Sequence, residues 1–255
     1  MKSRNHPTLH SQIVRTIALS MAIVGWKLTT PIQAQTYPPA NPQPSQNALP
    51  PVIYFEPPND DRVEGDSRGG ASRPAAQKCQ QDAAYQHPMT PLLPTSSRGL
   101  TVTGHPTIFV YVPPTSAPSA YFIIKDDADD REIYHATLPL TQTEGIVSIG
   151  FPESEPPLEV GKTYRWFVGL LCQPSQTDLP WVEGSIERIE LDGEPNKASL
   201  EQQAVSYGAS GIWYDTIGSL AQLVRQQPNN ETLSQNWSAL LDSVGLEAIA
   251  DRPLL

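Results

Sequence analysis

The sequence predicts a mainly β protein, an antiparallel β-sandwich followed by a small C-terminal helical cap. Three observations carry this expectation. Proline makes up 27 of 255 residues, about twice the usual share of roughly 5%, and proline is excluded from helix interiors and central strands. Between residues 99 and 192 short apolar runs recur, separated by Pro, Gly and Asp, at the spacing of about 8–12 residues that marks a sandwich. From residue 193 onward the apolar residues switch to helical spacing. The proline content argues against an all-helical bundle and against a doubly wound α/β fold.

The chain opens with the basic residues Lys2, Arg4 and Arg15, then an apolar run of 11 residues, Thr16–Trp26, then Ile32-Gln33-Ala34. This order is that of an export signal over residues 1–34. Lys27 ends the apolar run well short of the about 20 residues that cross a bilayer. No stable membrane span is expected after cleavage; an uncleaved anchor is the alternative. The expected location is the periplasm or the exterior. The precursor has 17 Lys+Arg against 27 Asp+Glu, and losing the four bases of residues 1–34 takes the net charge from −10 to −14. Such a surface lacks the basic footprint of a nucleic-acid binder.

Residues 35–66 read as a Pro-rich disordered linker, with eight prolines between Tyr37 and Pro58 and too little apolar surface to offset chain entropy. Val52-Ile53-Tyr54-Phe55 is its one apolar patch. It suits an edge strand or an unstructured segment. Residues 67–98 read as a loop leading into the sandwich, so that the β unit as a whole covers 67–192. Its Arg68-Gly-Gly-Ala-Ser-Arg73 run lacks the Gly-Lys-Ser/Thr of a phosphate loop; a turn-rich crossing or a backbone anion nest remain open.

Seven strands are predicted: Leu100–Thr103, Thr107–Val112, Ala120–Lys125, Ile133–Leu138, Gly145–Phe151, Thr163–Cys172 and Trp181–Leu191. Thr107–Val112 is apolar on both faces. Val147, Ile149 and Phe151 share one face. Tyr164, Trp166, Val168 and Leu170 alternate with Arg165, Phe167 and Leu171. The 94 residues from Gly99 to Asp192 fit an immunoglobulin-like domain of about 100. Leu158, Gly161, Tyr164 and Trp166 resemble the tyrosine corner of immunoglobulin/fibronectin-III-like sandwiches. There the glycine supplies a left-handed turn and the tyrosine hydroxyl bonds to upstream backbone.

Residues 193–255 form the predicted cap. Ser199-Leu-Glu-Gln202 is a capping-box pattern that starts a helix to about Tyr207. A second helix opens at Asp215 or slightly before, carries Trp213, Ile217, Leu220, Leu223 and Val224, and closes at Pro228. Asn230 caps a third, with Leu233, Trp237, Leu240, Leu241 and Val244 on one face. Gly245-Leu246 suits a left-handed stop, and a short helix follows to about Ala250. Tyr207-Gly208, Trp213-Tyr214-Asp215, Leu220 and Pro228-Asn-Asn230 resemble a single tetratricopeptide helix pair, without a second copy that would make a solenoid.

His105–Pro113 (HPTIFVYVP), Pro157–Cys172 (PLEVGKTYRW…C), Val182–Ile189 (VEGSIERI) and GIWYD…WSALLDSVGLEAIA follow one another behind the RGGASR run. Together they resemble the cyanobacterial domain-of-unknown-function family 928 over roughly residues 67–255. That resemblance implies an exported protein and no defined activity.

The candidate chemistry is sparse. Cys79 and Cys172 are the only cysteines, and an exported compartment favours their disulfide; a buried thiol or a catalytic thiol are the alternatives. Asp126, Asp127, Asp129 and Asp130 form a carboxylate-rich turn that offers oxygens to calcium. It departs from the EF-hand template, because Arg131 stands where a ligand should and no glycine follows. Read as turn formers, the same aspartates make a solvated hairpin tip. No histidine pair has metal spacing, no nucleophile elbow is present, and no cofactor is expected. Trp166, Trp181, Trp213 and Trp237 suit core or interface anchors, with an exposed one able to stack on sugar rings. The expected function is a non-enzymatic interaction module of the cell envelope whose partner is an unidentified envelope protein. The alternative is a ligand-binding sandwich for envelope glycan or calcium, and a hydrolase ranks below both.

Overall fold

The computed structural model describes residues 52–58, 79, 82, 84, 86–140, 144–173, 179–191 and 198–255. The expected signal, most of the expected linker and the RGGASR run lie outside the described residues. All that follows concerns the unit from Leu49 to Leu255.

Among the described residues there are eight strands: β1 (Thr90–Pro91), β2 (Arg98–Thr101), β3 (Thr107–Val112), β4 (Ser119–Asp126), β5 (Glu132–Pro139), β6 (Gly145–Gly150), β7 (Thr163–Leu171) and β8 (Trp181–Arg188). Helices α1 (Leu200–Ala209), α2 (Trp213–Gln226) and α3 (Glu231–Asp242) follow, then a 3-10 turn at Glu247–Ile249. The strands form two sheets, a small one in the order β1-β3-β6 and a large one in the order β2-β8-β7-β4-β5. One feature departs from the all-antiparallel expectation: β2 runs parallel to β8, with Arg98 opposite Ser185 and Thr101 opposite Arg188. A parallel neighbour requires a long connection, and here β2 is the second strand and β8 the last. Strand β1 escapes sequence reading because its two residues, one of them proline, carry no periodicity.

Alternation sorts each strand onto two faces. Ala120, Phe122 and Ile124 of β4, Tyr164, Trp166, Val168 and Leu170 of β7, and Val182 and Ile186 of β8 are buried. They join Ile108, Val110 and Val112 of β3 in one hydrophobic core. Strand β3 is buried on its other face too. Phe109 meets Trp237 of α3 edge-on at 6.4 Å, and Arg225 of α2 donates to Ser148 of β6 at 2.8 Å. The doubly apolar TIFVYV run thus reflects a small sheet sandwiched between the large sheet and the helices.

Local signals set the helix ends. Ser199 Oγ accepts from the Gln202 N–H at 3.2 Å while Gln202 Oε1 accepts from the Ser199 N–H at 3.0 Å, the reciprocal capping box. Asn230 Oδ1 caps α3 through the Leu233 N–H. Gly245 adopts φ +80°, and the Leu246 N–H reaches back to the Leu241 carbonyl at 3.0 Å, the Schellman closure.

The start of α2 fastens helices to sheets through three consecutive residues. Trp213 Nε1 donates to the Leu92 carbonyl at 2.9 Å. Tyr214 Oη accepts from Trp166 Nε1 at 2.7 Å and donates to the Ser185 carbonyl at 3.0 Å. Asp215 Oδ2 accepts from Thr101 Oγ1 at 2.8 Å and the Val102 N–H at 3.1 Å. Two glycines make room for the rings. A Cβ at Gly184 would lie 2.5 Å from the Trp166 indole, and one at Gly99 would lie 2.6 Å from the Tyr214 ring.

The apolar patch of the expected linker is ordered, and it is not an edge strand. Residues 52–58 run without secondary structure against the α1–α2 junction. Ile53 is 1% exposed, Phe55 meets Trp213 edge-on at 4.9 Å, and the Glu56 N–H donates to the Gly208 carbonyl at 3.0 Å. This corrects the expectation of disorder across 35–66 for these seven residues. Their buried side chains offset the entropy that composition alone charges against them.

Cys79 and Cys172 are joined by a disulfide across a sequence separation of 93 residues. It ties the lead-in segment to the end of β7. Beside it, Asp82 accepts from Thr115 Oγ1 at 2.7 Å and from the Ser116 N–H at 2.8 Å, which fixes the β3–β4 loop.

Two outcomes are expected. Cys79→Ser opens a loop whose closure is worth about 4–5 kcal/mol in the chain-entropy model, so urea unfolding should show a loss of that order and non-reducing gels a mobility change. Tyr214→Phe leaves the buried Trp166 N–H without its acceptor, a cost of roughly 1–3 kcal/mol; a change below about 0.5 kcal/mol in the same assay would show the hydroxyl to be dispensable.

Candidate binding face

The residues that do not point into the core define the open face of the large sheet. In the register of β4, β7 and β8, Tyr121 stands opposite Gly169 and Gly169 opposite Trp181. The next row out holds His135, Ile123, Phe167 and Glu183, and a further row holds Lys125, Arg165 and Ser185. Directly paired residues share a face, so these side chains lie together. Trp181 is 41% exposed and packs at 5.3 Å on Phe167. Tyr121 packs at 5.8 Å on His135. The Arg165 guanidinium sits 5.7 Å from the Phe167 ring centre, within cation–π range. At one end Leu179 closes over Gly169.

The result is an aromatic platform with a charged rim. Its rings offer flat apolar area, while the Glu183 carboxylate and the His135 imidazole offer hydrogen bonds. Burial pushes the Glu183 carboxyl above its ordinary value, opposed by the Arg165 charge. Sequence reading put Arg165 and Phe167 opposite the core residues of β7 but did not join them to Tyr121, His135 and Glu183. The signal was present in TYRWF, where aromatic residues occupy both faces of one strand, more than one core face needs.

The four described tryptophans divide cleanly. Trp166, Trp213 and Trp237 are 0%, 0% and 5% exposed, against 41% for Trp181. The corner residues lie together at the start of β7. Leu158 and Tyr164 are buried, the Glu159 N–H donates to Tyr164 Oη at 2.9 Å, and Gly161 has φ +79°. Arg188 donates to the Leu158 carbonyl, so the corner is stitched to β8.

The aspartates of the turn are paired with cationic side chains. Asp126 Oδ2 lies 3.3 Å from Lys162 Nζ and 3.7 Å from Arg131. Asp127 pairs with Arg165 at 2.8 Å. Asp129 pairs with Arg131 at 3.4 Å. Asp130 pairs with Arg165 at 2.7 Å and Lys125 at 3.0 Å. The Ala128 N–H, then Lys162, hold the Asp126 carboxyl below its ordinary value; Lys125 does the same for Asp130. No group of three or more His, Cys, Asp or Glu side chains among the described residues is placed to share a metal ion.

The remaining shifted groups are structural. Burial, then a hydrogen bond to Glu144, pushes the Tyr111 phenol up to about 12. Burial raises the Tyr214 phenol. Burial also raises the Asp215 carboxyl, with the Thr101 and Val102 hydrogen bonds opposing it.

Two sheets followed by three helices define this as a mainly β chain with a C-terminal helical unit. It belongs to the family described as Domain of Unknown Function (DUF928), whose family model matches residues 68–254. No curated protein matches the chain. Among solved structures, a multi-domain immunophilin from Arabidopsis thaliana is similar at 8% identity and a TM-score of 0.14, over 66% of this chain and 96% of that one. No described helix is long and apolar enough to cross a membrane.

Asp215 gives a pH prediction. Its folded-state pKa exceeds the unfolded one, so its contribution to stability is present below the ordinary aspartate pKa of about 4 and is lost as pH rises through the raised folded value. The hydrogen bonds from Thr101 and Val102 both reach Oδ2, which the amide oxygen of asparagine can replace. The melting temperature of Asp215→Asn relative to the parent should therefore climb as pH rises from about 4 through the raised folded value. A difference that stays constant over that range would refute the assignment.

Proposed function

We propose that the chain is an exported, non-enzymatic binding module of the cell envelope that contacts a protein partner through the open face of its large sheet. Trp181 carries the reading. It is the exposed member of the four described tryptophans, it packs at a tilt against Phe167, and it is rimmed by Arg165 and Glu183. Aromatic residues and arginine surrounded by polar groups are the composition of interface hot spots.

Four further observations support parts of this reading. The strand orders, with β2 parallel to β8 at the edge of the large sheet, suit an immunoglobulin-like sandwich, a scaffold common among binding domains. The α1–α2 pair, joined by residues 210–212, suits a tetratricopeptide-like hairpin. The disulfide and the basic, then apolar, N-terminal sequence suit an oxidising compartment outside the cytoplasm. A non-enzymatic role is supported by three of the shifted groups: Tyr111, Tyr214 and Asp215 are each held by hydrogen bonds that fasten elements together, not aimed at a shared reaction point.

A second reading, an uncharged envelope glycan on the same face, is favoured by the exposed indole edge beside a carboxylate, since sugar rings stack their C–H face on indole. The acidic chain disfavours anionic polymers.

Capture from envelope extract with the parent and with Trp181→Ala tests the reading. The variant should lose the partner by about 30-fold or more in affinity, the scale of a central aromatic hot spot, with melting unchanged. The same partner at the same strength from both proteins would sink it. Quenching of Trp181 fluorescence by neutral glycan fragments, absent in the variant, would move the assignment to the second reading.

A further inference from the structure

The α1–α2 junction already holds a peptide, residues 52–58 of the chain itself, and the manner of holding has the marks of a recognition site. Side chains alternate as in an extended ligand. Ile53 is 1% exposed and Phe55 packs on Trp213, while Val52 and Tyr54 face outward at 66% and 48% exposure. The peptide backbone makes one hydrogen bond to the groove, from the Glu56 N–H to the Gly208 carbonyl at 3.0 Å. It also comes closer than any side chain on the groove would permit. A Cβ at Gly208 would lie 1.9 Å from the Tyr54 carbonyl oxygen, and one at Gly211 would lie 2.8 Å from that of Glu56. Pro57 and Pro58 complete the segment and limit its freedom before docking. The groove residues fall inside the family match at 68–254, whereas the peptide precedes it, with 20 residues between Pro58 and Cys79.

We propose that this groove is a peptide-binding site for extended segments of the pattern Ile-x-Phe-x-Pro-Pro, and that a second copy of this chain can fill it with its own residues 52–58. Alternate side chains in pockets plus a main-chain hydrogen bond are a recurring mode of peptide capture. An identical segment on every copy makes exchange between copies the intermolecular form of the contact already present within one. Attachment in the same chain gives the resident segment an effective concentration of millimolar order, so the groove is closed to competitors until that segment is released.

Two full-length variants separate ligand from site. Ile53→Ala/Phe55→Ala empties the groove while leaving it intact. Gly208→Ala blocks it and frees the segment, and alanine is the better helix residue, so α1 is not weakened. Neither variant alone should dimerise on size exclusion; their mixture should form a heterodimer. A labelled peptide of residues 49–58 should bind the emptied variant at least about tenfold more tightly than the parent, and should not bind Gly208→Ala. A mixture that stays monomeric, or an emptied variant that is folded by circular dichroism and does not bind the peptide, would overturn the proposal. Should the double variant not fold, the isotope-labelled parent is titrated with unlabelled peptide to several millimolar. Release of its own residues 52–58, read in their amide resonances, supports exchange; unmoved resonances refute it.

Discussion

The hydrogen-bonded chain from the Trp166 indole through the Tyr214 hydroxyl to the Ser185 carbonyl is the constraint on which the rest of the structure depends. Trp166 is at the centre of the large sheet's inner face and is fully buried. Its N–H has to find an acceptor in a region otherwise apolar, and the neighbouring strands offer none. The acceptor comes from a helix instead, through a phenol that enters over Gly99 while the indole lies over Gly184. Satisfying one buried donor thereby fixes where α2 begins and how it meets the sheets. Trp213 and Asp215, on either side of Tyr214, bond to Leu92 and to Thr101 and Val102. Successive helix residues point in different directions, so three in a row locate the helix start in three dimensions.

The remainder follows from that placement. With α2 and α3 lying on β3 and β6, the small sheet is covered on both faces, and the outer face of the large sheet is left with Tyr121, Phe167 and Trp181. The same helix start presents Trp213 to Phe55, so residues 52–58 find their place only because α2 is already held. Core packing, the aromatic platform and the peptide groove are three consequences of one docking.

Local features were legible in the sequence. Ser199 and Gln202 predicted their reciprocal bond because a capping box involves only residues within one turn. Gly245 predicted its left-handed stop, and the alternation of TYRWFVGLL predicted which of its residues lie inside. The two cysteines were readable from their number and an export-like N-terminus, not from geometry. The parallel pairing of β2 with β8 was not readable, because it joins residues nearly 90 positions apart with no pattern in either strand that encodes direction. The cationic neighbours of the aspartate turn were not readable either: Arg165 and Lys162, which pair with Asp130 and Asp126, are more than 30 residues away in the sequence. Composition misjudged residues 52–58 for a related reason: a proline-rich segment with one apolar patch lacks a core of its own, and whether another element supplies one is a property of the fold.

By itself the sequence determined the class of the protein, the boundaries of its helices and of every strand but β1 to within a few residues, the inward face of β7, and its membership of a family without assigned activity. These depend on period, caps and composition, which act over neighbouring residues. Only the tertiary structure decided which exposed side chains meet. Tyr121, His135, Phe167, Glu183 and Trp181 come from four strands, and Phe55 meets Trp213 of α2 across some 150 residues of chain. Surfaces that bind are made by such long-range juxtapositions, and the free energy that creates them comes from burying the opposite faces of the same strands and helices.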